Sequence, residues 1–424
     1  MGNVIIGQSG GPTAVINASL AGAIKAAKVN GIEKVYGMRH GIEGFLKDEV
    51  ILLDDYFQDM NDLSLLKRTP GAFLGSCRFK LPKVKGNENV YARLFELLEK
   101  YDIEYFLYNG GNDSMDTTLQ LSQYAAAHGS NVKFMGIPKT IDNDLPVTDH
   151  TPGYGSASKY IATTMKEIIR DNESFGDTYP YIAIVEIMGR NAGWLTAASA
   201  LSKAADCTGP DLIYLPESAF SVSDFTARVK DLCQYKSSIV IAISEGIRTS
   251  DGTLVCEQSG SRGFTDSFGH KALSGAGKVL ADHLALETGC KTRAIEFSIL
   301  QRCASHLSSR TDVNEAYDCG YKACMAALQG ETGKMITIRV PEREPYVVNY
   351  DITDVKKIAN KEKMFPQEWI TNQGTYISEE YLRYARPFVI GDVSPYFSGG
   401  VPKHATLSAN TNFLRSDKLG YKDE

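Results

Sequence analysis

Long apolar runs are missing from this chain. None of its 424 residues belongs to a stretch approaching the roughly 20 apolar positions that a membrane-crossing helix needs. The opening residues Met1–Ile6 enter a strand pattern at once, without the basic start and long apolar stretch of a signal peptide. Positive charge is not in excess: 45 Lys and Arg stand against 51 Asp and Glu, a net charge of −6, which argues against nucleic acid as the main partner. A small anionic substrate needs only a local basic cleft and is not excluded. Cysteine is scattered, at 77, 207, 233, 256, 290, 303, 319 and 324, with no C-x-x-C pair that would mark a zinc or dithiol motif. The seven histidines form no metal-binding spacing, and solvated or packed positions are expected for them. No short repeat and no low-complexity tract is present. Reduced thiols, the missing apolar run and the start of the chain together point to a cytoplasmic protein, with no membrane or nucleic-acid partner.

What the chain does have is an ordinary globular composition, 43% apolar and 23% charged, over a length that predicts two domains. Strand and helix patterns alternate. Strands are predicted at 4–7, 104–108, 132–137, 181–187, 211–215, 238–244 and 293–297. Helices are predicted at 13–29, 90–100, 116–127, 156–170, 193–204, 223–233, 271–287 and 312–328. Such alternation implies parallel sheets with crossover helices. Residues after Met335 mix short strands, proline and charge and end in the polar tail Arg415–Glu424, which is expected to lack structure.

Three loops carry the chemistry. Gly7–Thr13 follows a strand and opens a helix, so its amides can cradle an anion, although it has neither the dinucleotide nor the P-loop spacing. Gly110-Gly111-Asn112-Asp113-Ser114 follows the next strand, and its glycines let backbone N–H groups approach a phosphate. Pro138–Asp144 places Lys139, Asp142 and Asp144 together at the end of a third strand. That set can hold Mg²⁺, accept a proton and neutralise phosphate charge. In open α/β sheets ligands bind beyond the carboxyl ends of strands, so the three loops together read as a phosphoryl-transfer site.

Taken in order, Gly10-Gly11, the run Gly71–Phe79 with Arg78, the loops 110–114 and 138–144, Met188-Gly189-Arg190 and Leu300-Gln301-Arg302 resemble the motifs of the phosphofructokinase family. Within it the chain is similar to the pyrophosphate-dependent branch. The resemblance implies two Rossmann-like parallel-sheet α/β domains. Residues 1–152 with 303–330 would form the donor domain and 153–302 the sugar-phosphate domain, with a C-terminal extension, 331–424, packing on the second. It implies reversible phosphoryl transfer from pyrophosphate to the 1-hydroxyl of fructose 6-phosphate, with Mg²⁺ as cofactor, in a homo-oligomer (dimer or tetramer). The alternatives are an ATP-dependent sugar-phosphate kinase and a non-catalytic sugar-phosphate-sensing subunit.

The resemblance assigns roles residue by residue. Asp142 matches the catalytic base, with Lys139, Arg190 and Asp113 as the other catalytic groups. Gly10, Gly11, Arg78, Gly111, Asp113, Ser114 and Lys139 match pyrophosphate-binding positions. Thr140, Asp142, Met188, Gly189, Arg190, Glu245, Arg293, Leu300 and Arg302 match sugar-phosphate positions, one arginine coming from a neighbouring subunit. Asn112 and Asp144 match metal positions, although many relatives carry Asp where Asn112 stands. ATP-using relatives have Gly where Asp113 stands; a carboxylate there fills the space of a nucleotide's α-phosphate and repels it. Tyr181 and Ile299 replace a substrate arginine and a phosphate-binding histidine of bacterial ATP-dependent relatives. Ala21 replaces an effector-site arginine, so nucleotide allostery through that site is not expected. The aromatic set Tyr376, Tyr381, Tyr384, Phe388 and Tyr396 is expected in the core or at a subunit interface.

Overall fold

Strands buried on both faces read as unbroken apolar strings, and these strings become the centres of two parallel sheets. The computed structural model describes residues 2–175, 179–259 and 275–407. In chain order the strands of the two large sheets are β1 (Asn3–Gln8), β2 (Val35–Met38), β3 (Val50–Leu52), β4 (Ile103–Gly110), β5 (Lys133–Pro138), β6 (Tyr181–Ile187), β7 (Leu212–Tyr214), β8 (Ser238–Ser244), β9 (Lys291–Glu296), β10 (Lys334–Arg343) and β11 (Tyr346–Asp354). The first sheet runs β11-β10-β5-β4-β1-β2-β3 and the second β7-β8-β6-β9. The central pairings β2–β1–β4–β5 are parallel, as are all pairings of the second sheet.

Alternate residues of each strand feed opposite cores. Val4, Ile6, Leu107, Met135 and Ile137 pack beneath helices Ile16–Val29 and Arg310–Leu328. Ile5, Phe106, Tyr108 and Phe134 pack on the other face with helices Glu88–Lys100 and Asn112–Ala127. The second sheet divides likewise: Ala183, Val185 and Ile187 face one core, Ile182 and Ile184 the other. Helices Ile16–Val29 and Arg310–Leu328 cross in close backbone contact. A Cβ on Gly22 would sit 2.0 Å from the Tyr317 carbonyl oxygen, and one on Gly320 1.9 Å from that of Ser19. Any side chain at either position forces the two helices apart.

Between β1 and β4 the chain changes direction of winding: β2 lies on one side of β1 and β4 on the other. The loops after β1 and β4 therefore flank a crevice, the topological switch point where ligands bind. Helix Tyr154–Glu173 leads into the second sheet. Its first amides are held from helix Arg310–Leu328: Gly153 and Ser156 N–H each donate to the Asp312 carboxylate at 2.8 Å. Burial pushes the Asp312 carboxyl up to about 6.

Several expectations change. The helix predicted at 193–204 is a short turn, Trp194–Ala197, continued as 3₁₀ helix Ala198–Ser202. The strands β2 and β3 and the helices Gly41–Leu46 and Met60–Lys67 were not read from the sequence. They are short, and three-residue strands carry little period-2 signal. The predicted helix start at Lys271 and the tail Arg415–Glu424 lie outside the described residues; the described helix is Ala276–Thr288. The expected packing of 331–424 on the second domain fails for 334–354. There β10 pairs in parallel with β5 and β11 folds back antiparallel, extending the first sheet. The reason is physical: β5 would otherwise present an open edge, and the apolar Met335, Ile336 and Ile338 cover it. Farther on, Phe365, Tyr381, Tyr384 and Phe388 do join the core of the second sheet, with Tyr376 against it, whereas Tyr396 stays 45% exposed.

His150, expected to be solvated or simply packed, is a buried ion. Its Nδ1 lies 3.0 Å from the Asp149 carboxylate and its Nε2 2.6 Å from Glu315. Burial opposes its charge, but Glu315 and Asp149 outweigh it and raise the imidazole to about 9. Arg343 closes on Asp149 at 2.6 Å and Tyr346 OH donates to Glu315 at 2.6 Å, so the hairpin β10–β11 is riveted to this network.

Candidate active site

The crevice at the switch point opens into a cavity of about 560 Å³. Gly10 and Gly11 from the loop after β1, Arg78, Gly111–Ser114 from the loop after β4, and Lys139, Thr140, Asp142 and Asp144 from the loop after β5 all line it. Every residue expected at the donor and metal positions is thus brought together.

Local geometry explains the convergence. The Gln8 side chain at the end of β1 accepts from Leu74 N–H at 3.0 Å and donates to Asn17 at 2.9 Å. Gly10 N–H donates to the Cys77 carbonyl at 3.0 Å. These bonds dock the segment that carries Arg78 onto the glycine loop. Helix Asn112–Ala127 begins at the cavity, with Asp113 in its first turn. Its free N–H groups and positive dipole end face the place where an anion would sit. After β5 the chain turns through Asn143, held at φ 54° by its bond to Tyr384 OH at 2.9 Å. The turn leaves Asp142 and Asp144 on the cavity. Asp142 N–H donates to Thr140 Oγ1 at 3.0 Å, and the Thr140 hydroxyl donates to the Asp142 carboxylate at 3.3 Å.

Lys139 is 4% exposed and donates to the Gly11 carbonyl at 2.8 Å. Burial pulls its ammonium down to about 8; Asp142 and Asp144 pull it back up, while Arg302 and Arg78 push it down. Asp142 and Asp144 open to the cavity but are otherwise walled by protein, and desolvation raises both carboxyls, with their mutual repulsion lifting Asp144 further. Such displaced values are the pattern of a reaction site.

Several residues expected on the sugar side are positioned by β6 and β8. Gly189 N–H donates to the Glu245 carboxylate at 3.3 Å, and Glu245 N–H donates to the Ile187 carbonyl at 2.9 Å. Gly189 sits at φ 151°, where a Cβ would strike Ser244 Oγ at 2.8 Å. Met188, Gly189, Arg190 and Glu245 thereby form one unit. Burial lifts Glu245 to about 7, with a smaller push from Asp142, which joins this unit to the donor cavity.

Two arginines part company. Arg302, expected at the sugar phosphate, lies beside the donor loop, its guanidinium 3.1 Å from the position of a Cβ on Gly11. Burial and then Arg78 lower its pKa. Arg293 is not brought to the cavity. It stands on β9, opposite Ala183 in the middle of β6, exposed and 5.6 Å from the Phe175 ring. Leu300 is 53% exposed and also stays outside.

Two cavity residues were missed. Asn360 and Glu362 line it from the C-terminal extension. Nothing in the polar run around them marks a site, because their approach to the cavity depends on the β10–β11 hairpin. Asn112, expected to bind metal, is engaged by this segment: its Oδ1 accepts from Asn360 N–H and its Nδ2 donates to the Lys361 carbonyl. Among the described residues no group of three His, Cys, Asp or Glu is close enough to cage a metal. Mg²⁺ does not need one, since one or two carboxylates with substrate phosphates and water suffice. Asp142 and Asp144, both raised first by desolvation, fit that description.

A family model, Phosphofructokinase, matches residues 3–327. The chain is 40% identical over 409 residues to "Pyrophosphate--fructose 6-phosphate 1-phosphotransferase" of Halomonas elongata, covering 96% of each. A crystal structure of a pyrophosphate-dependent phosphofructokinase from Marinobacter aquaeolei superposes with a TM-score of 0.85 at 36% identity, covering 96% of both chains. One from Nitrosospira multiformis gives 0.85 at 35% identity, covering 95% of both. The fold, the converging motifs and these matches agree, and the chain belongs to the phosphofructokinase family.

Proposed function

We propose that the chain reversibly transfers a phosphoryl group from pyrophosphate to the 1-hydroxyl of fructose 6-phosphate, giving fructose 1,6-bisphosphate and phosphate. The observation that carries the donor choice is Asp113, in the first turn of the helix that opens on the cavity. A carboxylate there would repel a nucleotide's α-phosphate, whereas a two-phosphate donor needs only the cavity lined by Gly10, Gly11 and Gly111. The relatives aligned over nearly the full chain bear the matching name.

Asp142 accepts the proton of the 1-hydroxyl as that oxygen bonds to the transferred phosphorus, and the bond to the bridging oxygen of pyrophosphate breaks. Lys139, with Arg78 and Arg302 beside it, offsets the charge that gathers on the departing phosphate. Arg190 reaches the transferring group, while Met188, Gly189 and Glu245 hold the sugar. Mg²⁺, which Asp144 and Asp142 would hold, supplies further charge neutralisation at the phosphates. Arg293 on the open edge of the second sheet serves a neighbouring subunit's sugar phosphate, in a homo-oligomer. The expected setting is the cytoplasm; no described helix is long and apolar enough to cross a membrane.

The test is steady-state turnover with fructose 6-phosphate, Mg²⁺ and either pyrophosphate or ATP. Pyrophosphate gives turnover and ATP little or none. Equal rates with both donors overturn the donor assignment.

A further inference from the structure

Residues 360–363 run as a strap across the donor cavity and are fastened in both halves of the molecule. On the donor side, Asn360 turns at φ 58° and its Nδ2 donates to Asp116 at 2.9 Å. Its N–H and the Lys361 carbonyl meet the two ends of the Asn112 amide, as two peptide groups meet in a sheet. Lys363 N–H donates to the Asp144 carbonyl at 2.7 Å, and its ammonium donates to the Asp149 carbonyl at 2.8 Å. On the acceptor side, the Glu362 carboxylate accepts from Asn191, next to Arg190, at 3.3 and 3.4 Å. Trp194 Nε1 donates to the Lys363 carbonyl at 3.0 Å.

We propose that Asn112 is a positioning residue rather than a metal ligand: it clamps the strap Asn360–Lys363 as a wall of the donor cavity, and this wall sets pyrophosphate affinity. An amide is the side chain suited to this task. It must accept from one backbone group and donate to the next, which a carboxylate cannot do. A metal ligand at this place would favour the carboxylate. The wall matters because the buried Lys139 attracts phosphate strongly only while water is kept out. Asn360 and Glu362 of the strap line the cavity beside Asn112. The inference rests on the proposed pyrophosphate reaction.

The test compares Asn112→Asp and Asn112→Ala with wild type. Asn112→Asp is the discriminating change, because the two readings predict opposite outcomes. Under the clamp it opposes a carboxylate to the Lys361 carbonyl. Losing one or both strap hydrogen bonds raises the KM for pyrophosphate roughly tenfold in either variant. The KM for fructose 6-phosphate stays within about twofold, a split that general damage to the fold does not give. Hydrogen exchange at the Asn360 amide accelerates in both variants, and Mn²⁺ binding, followed by its paramagnetic signal, is not tightened by Asn112→Asp. Asn360→Gly keeps the left-handed turn but removes the Asp116 bond, and it also raises the KM for pyrophosphate. Tighter Mn²⁺ binding by Asn112→Asp with an unchanged KM for pyrophosphate overturns the inference. So does unchanged Asn360 exchange in both Asn112 variants. If wild type does not turn over pyrophosphate at all, the functional reading fails instead, and Asn360 exchange still decides whether Asn112 is the clamp.

Discussion

The alkaline side of the pH profile tests the electrostatics of the donor cavity directly. In the proposed reaction Lys139 holds pyrophosphate through its charge, and its ammonium is lowered to about 8 in the free protein. The ordinary lysine value is about 10.4. Above about 8 the charged fraction falls about tenfold per pH unit, and kcat/KM for pyrophosphate, which reports the form of the enzyme that captures pyrophosphate, falls with it. At pH 9 it is therefore about a tenth of its plateau. On the acid side the proposed base Asp142 must be ionised, and since desolvation raises the carboxyls of Asp142 and Asp144, the fall begins above the usual aspartate range. The measurement is initial rate against pyrophosphate concentration across pH, at saturating fructose 6-phosphate. Arg78→Gln supplies the control. Arg78 depresses Lys139, so its removal weakens donor binding yet moves the alkaline limb to higher pH by a fraction of a unit. Pyrophosphate's own titration is the same in both proteins and drops out of the comparison. An alkaline limb near the ordinary lysine value, or one that stays put in Arg78→Gln, refutes the buried-lysine argument.

Two further predictions follow from named contacts. Asp142→Asn keeps the size of the side chain but removes the base, and kcat falls roughly 10²–10⁴-fold with little change in the KM for fructose 6-phosphate; near wild-type turnover removes Asp142 from the mechanism. His150 is raised to about 9 from the ordinary histidine value of 6.5, so its contribution to stability is fully present below 6.5 and is lost as pH rises through about 9. The shift corresponds to about 3 kcal/mol at most, seen as a falling denaturation midpoint between pH 7 and 10 that His150→Gln does not share.

Much of the fold was legible because its central strands are buried on both faces. Strings such as Val4-Ile5-Ile6 and Ile182–Ile187 admit little besides an interior parallel strand, and the helices between them have room only as crossovers. The site was legible for a related reason: a loop at the carboxyl end of such a strand has one place to go, so glycines and charges in three such loops must meet. The strap was illegible because nothing local specifies it. Asn360 and Glu362 reach the cavity through the pairing of β10 with β5 and the anchoring of Phe365 in a distant core, both long-range events. The contacts of Asn112 were illegible for the complementary reason. Its sequence neighbours place it at the phosphate loop, but the groups that take up its amide lie almost 250 positions away, at a separation of 248 and 249 residues. Arg293 and Leu300 show a third limit. They carry the family pattern, yet one chain gives them no site to join; in the proposed homo-oligomer a neighbouring copy would supply it.

The balance of charge around the cavity makes a last prediction. The cations are Arg78, Lys139 and, beside Gly11, Arg302; the carboxylates are Asp113, Asp142, Asp144 and Glu362. A site for a polyanion thus carries more negative than positive side chains. Bare pyrophosphate would add several negative charges in a space where desolvation already disfavours Asp142 and Asp144. Repulsion at close range and low dielectric costs more than these three cations, already facing four carboxylates, could offset. The arrangement becomes favourable when a divalent cation enters with the donor, because its two charges face carboxylates on one side and phosphate oxygens on the other. Pyrophosphate binding measured by calorimetry should therefore be lost when a chelator removes divalent cations. Binding of fructose 6-phosphate should persist, since Met188–Arg190 and Glu245 belong to the second sheet and the sugar needs no metal there. Pyrophosphate that binds equally well with chelator present would mean that the carboxylates are protonated in the complex. In that case affinity would rise as pH falls, and the cavity would select its donor by protons rather than by a metal ion.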